Sequence, residues 1–287
     1  MKRVENVTGP IATHGEGPVW WPGWGGLRFM DAFRGDMLTL FSDGLRRLHV
    51  DDHYAAFVRP RTSGGYVVAG EKDLRLSDGY HTPPESSLRL IRHDRSRLNE
   101  GGTDPLGRLY AGSADAEGQS KQGELFLVDA TTELKPSITV AVTGLECSNG
   151  IAFSPDGTLA YYVDSLTRRI DIFEHATHTL TGRRPFVEFL PEHGLPDGIT
   201  VASDGSVWVA MWGGSCIRAY SPMGDLIDTI ILPVPQVTAC TFGGDDLDAL
   251  YITTSSQNLT TGPGDEDGSL YVCHPGVTGM PTTPFAG

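Results

Sequence analysis

A short glycine-containing pattern recurs six times along the chain. In five copies a glycine begins a run rich in aromatic, β-branched and other apolar residues, and in the sixth a leucine begins it. The copies are GGLRFMDA from Gly25, GGYVVAGE from Gly64, GRLYAGSA from Gly107, GTLAYYVD from Gly157, GSVWVAMW from Gly205 and LDALYITT from Leu247. Their successive spacings are 39, 43, 50, 48 and 42 residues. Units of this length are typical of β-propeller blades.

The repeat predicts an all-β chain that folds as a six-bladed β-propeller, with residues 1–287 in a single domain. Turn signals lie between the apolar runs, as hairpin connections should: SDG at Ser42, SPDG at Ser154 and SDG at Ser203. The 36 glycines also favour many short strands over long helices. A β-sandwich is the alternative architecture, but sandwiches do not repeat at this period.

Charge and hydropathy exclude several classes of partner. The net charge is -14 and no basic stripe is present, which disfavours nucleic-acid binding because phosphate contacts require clustered Lys and Arg. No apolar run approaches the roughly 18 residues of a membrane span, and the initial MKRVENVTGP lacks the apolar stretch of a secretory signal. We therefore expect no membrane partner and a cytoplasmic location. The oligomeric state stays open.

The cysteines point to the same compartment. Cys147, Cys216, Cys240 and Cys273 form no C-x-x-C pair, and each lies in or beside an apolar run. We expect free, buried thiols in a reducing environment rather than disulfides or a zinc finger.

Four polar residues lie at nearly the same phase of the repeat. Asn99, Asn149 and Asp197 each precede the repeated glycine by eight residues, and Glu16 precedes its glycine by nine. Equivalent positions in a cyclic repeat occupy equivalent places in space. We therefore expect these side chains to converge at the channel mouth, where the innermost strands begin.

Two carboxylates and two amide oxygens suit a hard divalent cation. Coordination positions that the protein leaves open would take water or substrate. The oxygen ligands fit Ca²⁺, Mg²⁺ or Mn²⁺, and Zn²⁺ can occupy such a site too. The alternative is that Asn-Gly and Asp-Gly simply form turns. His14, beside Glu16, either lines the site or is a surface or hydrogen-bonded histidine.

Longer motifs around these residues resemble the family of senescence marker protein (regucalcin), gluconolactonase and luciferin-regenerating enzyme. The resemblance covers nearly the whole chain. Its motifs are GEGPVWWP from Gly15, RLNEGGTDPLGRLYAGS from Arg97, SNGIAFSPDGTLAYYVDS from Ser148, LPDGITVASDGSVWVAMWGG from Leu195 and CTFGGDDLDALYITTS from Cys240.

This resemblance implies a propeller that hydrolyses sugar lactones, which are cyclic carboxylic esters, with one bound divalent ion. The implied metal ligands are Glu16, Asn149 and Asp197, and the implied substrate contacts are Arg97, Asn99 and Glu117. Two features depart from the family pattern. Glu100 replaces the usual aspartate, and the loop at residues 115–123 is shorter than in the animal proteins. The second departure leaves the choice of lactone open.

The chemistry expected of such a site needs an activated water and a stabilised oxyanion. The metal would polarise the lactone carbonyl, and Asp197 is the candidate general base; attack by a metal-activated hydroxide is the variant. No G-x-S-x-G motif supports a covalent serine route. One alternative is an organophosphate or other ester hydrolase on the same scaffold, with Asn99 as a fourth ligand. The other is a non-enzymatic calcium-binding regulator or an interaction scaffold.

Overall fold

The computed structural model describes residues 2–51, 53–115, 121–131, 135–176, 179–259 and 262–287. The described residues form six four-stranded antiparallel sheets, which confirms the six-bladed β-propeller. The first strand, β1 (Glu5–Pro10), pairs with the last, β24 (Ser269–Cys273), with Glu5 opposite Val272. Strands from the two ends of the chain thus complete the same blade and close the ring.

Each blade is a meander whose first strand lies nearest the channel. Blade 1 contains β2 (Gly15–Trp21), β3 (Gly26–Asp31), β4 (Asp36–Phe41) and β5 (Gly44–His49). Blade 2 contains β6 (Val58–Pro60), β7 (Tyr66–Ala69), β8 (Asp73–Ser77) and β9 (Ser86–Arg89). Blade 3 contains β10 (Ser96–Thr103), β11 (Leu109–Asp115), β12 (Gly123–Asp129) and β13 (Ser137–Leu145).

The other three blades follow the same plan. Blade 4 contains β14 (Ser148–Phe153), β15 (Leu159–Asp164), β16 (Arg169–His175) and β17 (Leu180–Glu188). Blade 5 contains β18 (Leu195–Val201), β19 (Val207–Trp212), β20 (Cys216–Tyr220) and β21 (Leu226–Ile231), and blade 6 contains β22 (Val237–Gly243), β23 (Ala249–Thr254), β24 and β1. Short 3₁₀ helices lie at Pro22–Trp24, Ala32–Arg34, Ser165–Thr167 and Pro191–His193. None of the described helices is long and apolar enough to cross a bilayer.

The six repeated runs are the second strands of the six blades. These strands are largely buried, and all six residues of β3 are buried, whereas the outer β5 has exposed and half-buried residues only. The repeated glycine sits in the turn before each second strand with positive φ, as at Gly25 (88°) and Gly205 (84°). Leu247, at the sixth copy, adopts φ 55° without being glycine. The repeat therefore marks a left-handed turn position.

The innermost strands of blades 1, 3, 4 and 5 each contain a β-bulge. The pairing with the second strand gains one residue between Glu16 and Val19, Leu98 and Gly101, Ser148 and Ile151, and Pro196 and Ile199. Bulges re-aim side chains and are common beside functional sites. Asn149-Gly150 and Asp197-Gly198 lie inside these strands, so they are not turns.

The channel has two different ends. The channel mouth is the end at which the innermost strands begin, and it contains the four phase-matched residues. The far end contains the repeated turns, and residues 278–287 cross it. Backbone N–H groups of this tail donate to Leu247, Pro60 and Gly107 in blades 6, 2 and 3.

Candidate metal and substrate site

The three proposed metal ligands come from three blades and are buried together at the channel mouth. Glu16, Asn149 and Asp197 each expose 6% of their surface. Blades 4 and 5 approach so closely here that a Cβ on Gly150 would lie 2.7 Å from the Ile199 nitrogen. The glycine after Asn149 therefore allows the close contact between the innermost strands.

Two buried side-chain oxygens at this point have no hydrogen-bond partner: Asn149 Oδ1 and Asp197 Oδ1. The Asn149 side chain is held in place because its Nδ2 donates to Ser165 Oγ at 2.9 Å. Buried polar atoms in proteins are nearly always satisfied. The donor set is therefore one that a bound ligand or ion would complete.

The electrostatics at the mouth also favour an added positive charge. Burial raises the pKa of Glu16 well above its usual value, and the Asp197 and Glu100 carboxylates raise it further. Burial likewise raises the pKa of Asp197, Glu100 adds to the rise, and hydrogen bonds from Asn149 and Gly198 oppose it. A cation bound between them would act in the opposite direction and lower the pKa of both carboxyls.

His14 contacts Glu16 and links it to another blade. Its Nε2 lies 3.5 Å from Glu16 Oε1, and its Nδ1 lies 2.8 Å from Ser255 Oγ. Burial, helped by the charge of Arg97, lowers the pKa of His14 to about 3. The contact with Glu16 is therefore made by a neutral imidazole and is not an ion pair. His14 lines the site and is also a hydrogen-bonded histidine, so the structure agrees with part of each sequence interpretation.

Arg97 and Asn99 lie together beside the proposed ligands. The Arg97 guanidinium stacks 4.2 Å from the Tyr54 ring centroid, and its Nη1 donates to Asn99 Oδ1 at 2.6 Å. The Asn99 Nδ2 donates to Ser148 O at 3.0 Å. Both polar atoms of the Asn99 amide thus have protein partners, unlike the carbonyl oxygen of Asn149.

Glu117, the remaining predicted substrate contact, lies outside the described residues. Aromatic residues that the sequence did not single out form a rim around the mouth. Phe33 is 48% exposed, its ring lies 4.9 Å from His14, and Trp212 lies 5.7 Å from His14 on another side. These residues are far apart in the sequence, so only the ring of blades brings them together.

A buried ion pair lies deeper in the channel. Arg59 Nη2 donates to Glu100 Oε1 at 3.1 Å, and the two side chains are only 13% and 5% exposed. Glu100 Oε1 also accepts from Gly101 N at 2.9 Å. Burial raises the pKa of Glu100, while Arg59 and the Gly101 N–H lower it. Glu100 lies within a family motif, whereas no motif or repeat position in the sequence marks Arg59.

The donor set fits one hard cation that takes only a few of its ligands from the protein. Within the described ranges, no three or more His, Cys, Asp or Glu side chains form a group that could hold a metal ion. The proposed set does not need such a group, because one of its three members is an amide. Two carboxylates balance a divalent charge, and the two unpartnered oxygens are of the kind that Ca²⁺ and Mg²⁺ prefer.

The remaining predictions on composition are confirmed in part. All four cysteines are free, and Cys216, Cys240 and Cys273 are buried. Cys147 is half-buried near the site, where burial raises the pKa of its thiol to about 12. It is therefore protonated at neutral pH and is a poor nucleophile.

Comparison with known proteins agrees with this architecture. Residues 14–256 match the model of the SMP-30/Gluconolactonase/LRE-like region. Regucalcin of Sus scrofa is 31% identical over 99% of both chains, and pentonolactonase XacC of Haloferax volcanii is 30% identical over 97% of this chain and 96% of that protein. The solved structure of a luciferin-regenerating enzyme superposes over 100% of both chains with a TM-score of 0.90 and 27% identity. The chain therefore belongs to the SMP-30/gluconolactonase/LRE-like family.

Proposed function

We propose that this chain is a lactonase of the gluconolactonase type, which hydrolyses a small sugar lactone with one divalent cation held by Glu16, Asn149 and Asp197. The observation that carries the proposal is the pair of buried, unpartnered oxygens on Asn149 and Asp197, beside the Glu16 carboxyl. Relatives of this chain that are named lactonases support the reaction class.

Lactone hydrolysis requires stabilisation of the oxyanion and removal of a proton from water. A divalent cation bound at Glu16, Asn149 and Asp197 would stabilise the negative charge that develops on the carbonyl oxygen. Asp197 would accept the proton of the attacking water, because it is a carboxylate at the mouth beside the reacting bond. The neutral His14 would keep the Glu16 carboxyl in place.

Arg97 and Asn99 would position the sugar. The Arg97 guanidinium lies over the Tyr54 ring, 4.2 Å from its centroid, and its remaining N–H groups would donate to hydroxyl oxygens of the sugar. Because Asn99 Oδ1 already accepts from Arg97, this geometry supports a substrate role for Asn99 rather than a fourth metal ligand. Glu117 remains a proposed third substrate contact. The exposed Phe33 would cover an apolar face of the sugar ring.

A metal-replacement assay tests the proposal. The full chain is stripped with a chelator and refilled separately with Ca²⁺, Mg²⁺, Mn²⁺ or Zn²⁺, and five- and six-carbon aldonolactones are hydrolysed in a pH-indicator assay. We expect no turnover without metal and restored turnover with at least one ion. A phosphotriester serves as the competing substrate. Turnover of the phosphotriester alone would indicate the organophosphate hydrolase, and metal binding without any turnover would indicate the regulator.

A further inference from the structure

Arg59 bridges three inner elements of the channel directly below the proposed metal site. Its Nη1 donates to Gly17 O at 3.3 Å and to Val58 O at 2.7 Å, and its Nη2 donates to Glu100 Oε1 and to Gly101 O. Gly17 follows the proposed ligand Glu16 directly. Arg59 thus connects the strand that carries one metal ligand to the strand that carries a third buried carboxylate.

Arg59 also lines two neighbouring cavities. A small one of about 20 Å³ is lined by Arg59, Glu100, Gly150 and Gly198, and so lies directly under the ligands Asn149 and Asp197. A larger one of about 230 Å³ opens at the far end, and its lining includes Arg59, Thr103 and the tail residue Thr283. Arg59 therefore borders both the small cavity under the proposed ligands and the larger cavity at the far end.

The position of Arg59 affects the total charge around the proposed metal site. Glu16, Asp197 and Glu100 are three buried carboxyls, and the charge of Glu100 acts on both proposed ligands, Glu16 and Asp197. Arg59 contacts one of them, Glu100, at 3.1 Å. Arg97 adds a further positive charge at the mouth. With Arg59 paired to Glu100, the two carboxylates proposed as ligands balance the charge of a dication.

We propose that Arg59 is a positioning residue that offsets the charge of Glu100 and so matches the site to a divalent rather than a trivalent cation. This inference rests on the proposed metal site. Without Arg59, a third carboxylate charge would act on the bound ion, and a trivalent ion would gain more from it than a divalent one. Arg97 is present in every variant compared, so its charge does not contribute to the differences between variants.

Competition between Ca²⁺ and Tb³⁺ tests the inference, because both are hard ions of similar size that take oxygen ligands. Dissociation constants of both ions are measured by titration calorimetry on the chelated full chain. We expect Arg59→Gln to shift the affinity ratio roughly tenfold towards Tb³⁺, and Glu100→Gln to shift it roughly tenfold towards Ca²⁺. The double variant should return the ratio to within about threefold of the parent value. Circular dichroism verifies the fold of each variant.

Arg59→Lys separates charge from shape. It keeps the positive charge and loses the planar fork, so its affinity ratio should stay near that of the parent chain. If Arg59 only held the strands together, both ions would bind more weakly in Arg59→Gln and Arg59→Lys with an unchanged ratio, and that result overturns the inference. Should Arg59→Gln not fold, the double variant compared with Glu100→Gln decides, because the two differ only at position 59. A ratio that moves towards Tb³⁺ in the double variant supports the inference, and an unchanged ratio overturns it. A parent chain that binds neither ion overturns the proposed metal site itself.

Discussion

At the channel mouth, Asn149 Oδ1 and Asp197 Oδ1 are buried without a hydrogen-bond partner. At the far end, Thr103 Oγ1 donates to Thr283 O at 2.6 Å, and Thr282 Oγ1 donates to Trp20 O at 2.9 Å. The two ends are formed by the same innermost strands. At the far end, polar groups therefore form hydrogen bonds that hold the tail. At the channel mouth, acceptors stay without partners and neighbouring carboxyls destabilise the folded state in the absence of a ligand.

This contrast matches the difference between stability and function in the fold. A buried acceptor without a partner costs free energy, on the order of 1–3 kcal/mol, and a carboxyl pair in a low dielectric adds to the cost. Such costs are retained mostly where a site must bind something. The tail at the far end offsets them, because its backbone hydrogen bonds join several blades.

The largest expected effect separates the two ends within blade 5. Asp197→Asn keeps the shape of the side chain but removes a charge from the site and the proposed general base, so kcat on a lactone should fall by about 10³-fold. Asp204→Asn is the matched control, because Asp204 is an exposed residue in a far-end turn, where it accepts from Ser206 N at 2.9 Å. Steady-state kinetics with saturating metal should show an unchanged kcat for the control. Equal losses in both variants would remove Asp197 from the chemistry.

The next effect tests the far end as a stabilising element. Phe285 is 1% exposed, packs in the core cluster of blades 2 and 3, and donates its backbone N–H to Pro60 O at 2.8 Å. Phe285→Ala should lower the free energy of unfolding by about 3 kcal/mol because it leaves a cavity. Lactone turnover by the folded fraction should not change. Met280→Ala, at a tail residue that is 39% exposed, should cost well under that in the same denaturant titration.

Arg97 tests how the mouth recognises its substrate. Arg97→Ala removes the guanidinium that stacks on Tyr54, and we expect KM to rise about tenfold with kcat within threefold of the parent value. Arg95→Ala, two residues earlier and exposed, should leave both parameters unchanged. A fall in kcat at constant KM would instead place Arg97 in the stabilisation of the transition state.

The phase of the repeat predicted where these residues lie, and its limits have a physical cause. Asn99, Asn149 and Asp197 share the bulge position of their strands, so a count from the glycine found them. Glu16 is one residue out of phase because it is the last paired residue before its bulge. The one-residue offset of Glu16 in the sequence repeat thus corresponds to a difference in how its strand pairs.

Other site residues left no such signal in the sequence. Blade 2 has Ala56 at the shared phase, and its charged residue, Arg59, lies three positions later inside β6. The contacts of Arg59 with Glu100 and of His14 with Ser255 join different blades over 41 and 241 residues. Contacts of this kind depend on the curvature and closure of the ring, which local patterns do not encode.

The pH dependence of the stability of the metal-free chain should reveal the free-energy cost of burying carboxyls at the channel mouth. Burial raises the pKa of Asp197 in the folded state, so its contribution to stability is present at acidic pH and is lost as the pH rises through the folded pKa. His14, with its pKa lowered to about 3, acts oppositely, since it costs stability as the pH falls below the unfolded value. Comparison with Asp197→Asn removes the His14 contribution.

As the pH rises above the usual carboxyl range towards the raised pKa of Asp197, the parent chain should lose Tm relative to Asp197→Asn, because only the parent must ionise this carboxyl. Each kcal/mol corresponds to about 2 °C in a chain of this size. Saturating Ca²⁺ should abolish the trend, since the cation replaces the proton. Melting curves that stay parallel over this range in chelator would contradict the argument that the carboxyls at the mouth are strained.

The smallest effect comes from the far end, at the one repeat copy that lacks glycine. Leu247 adopts φ 55°, where a side chain is unfavourable by roughly 1 kcal/mol, while the five equivalent glycines adopt such values freely. Leu247→Gly should therefore raise the free energy of unfolding by a few tenths of a kcal/mol. The gain is smaller than the relieved strain, because the variant loses the contacts of a half-buried side chain and gains conformational entropy in the unfolded chain. Leu247→Ala keeps the strain and loses the contacts, so it should destabilise. The opposite order of stability, with Leu247→Gly less stable than Leu247→Ala, would contradict this expectation. It would mean that the leucine side chain stabilises the tail, which donates from Gly279 N to Leu247 O, by more than the turn strains the backbone.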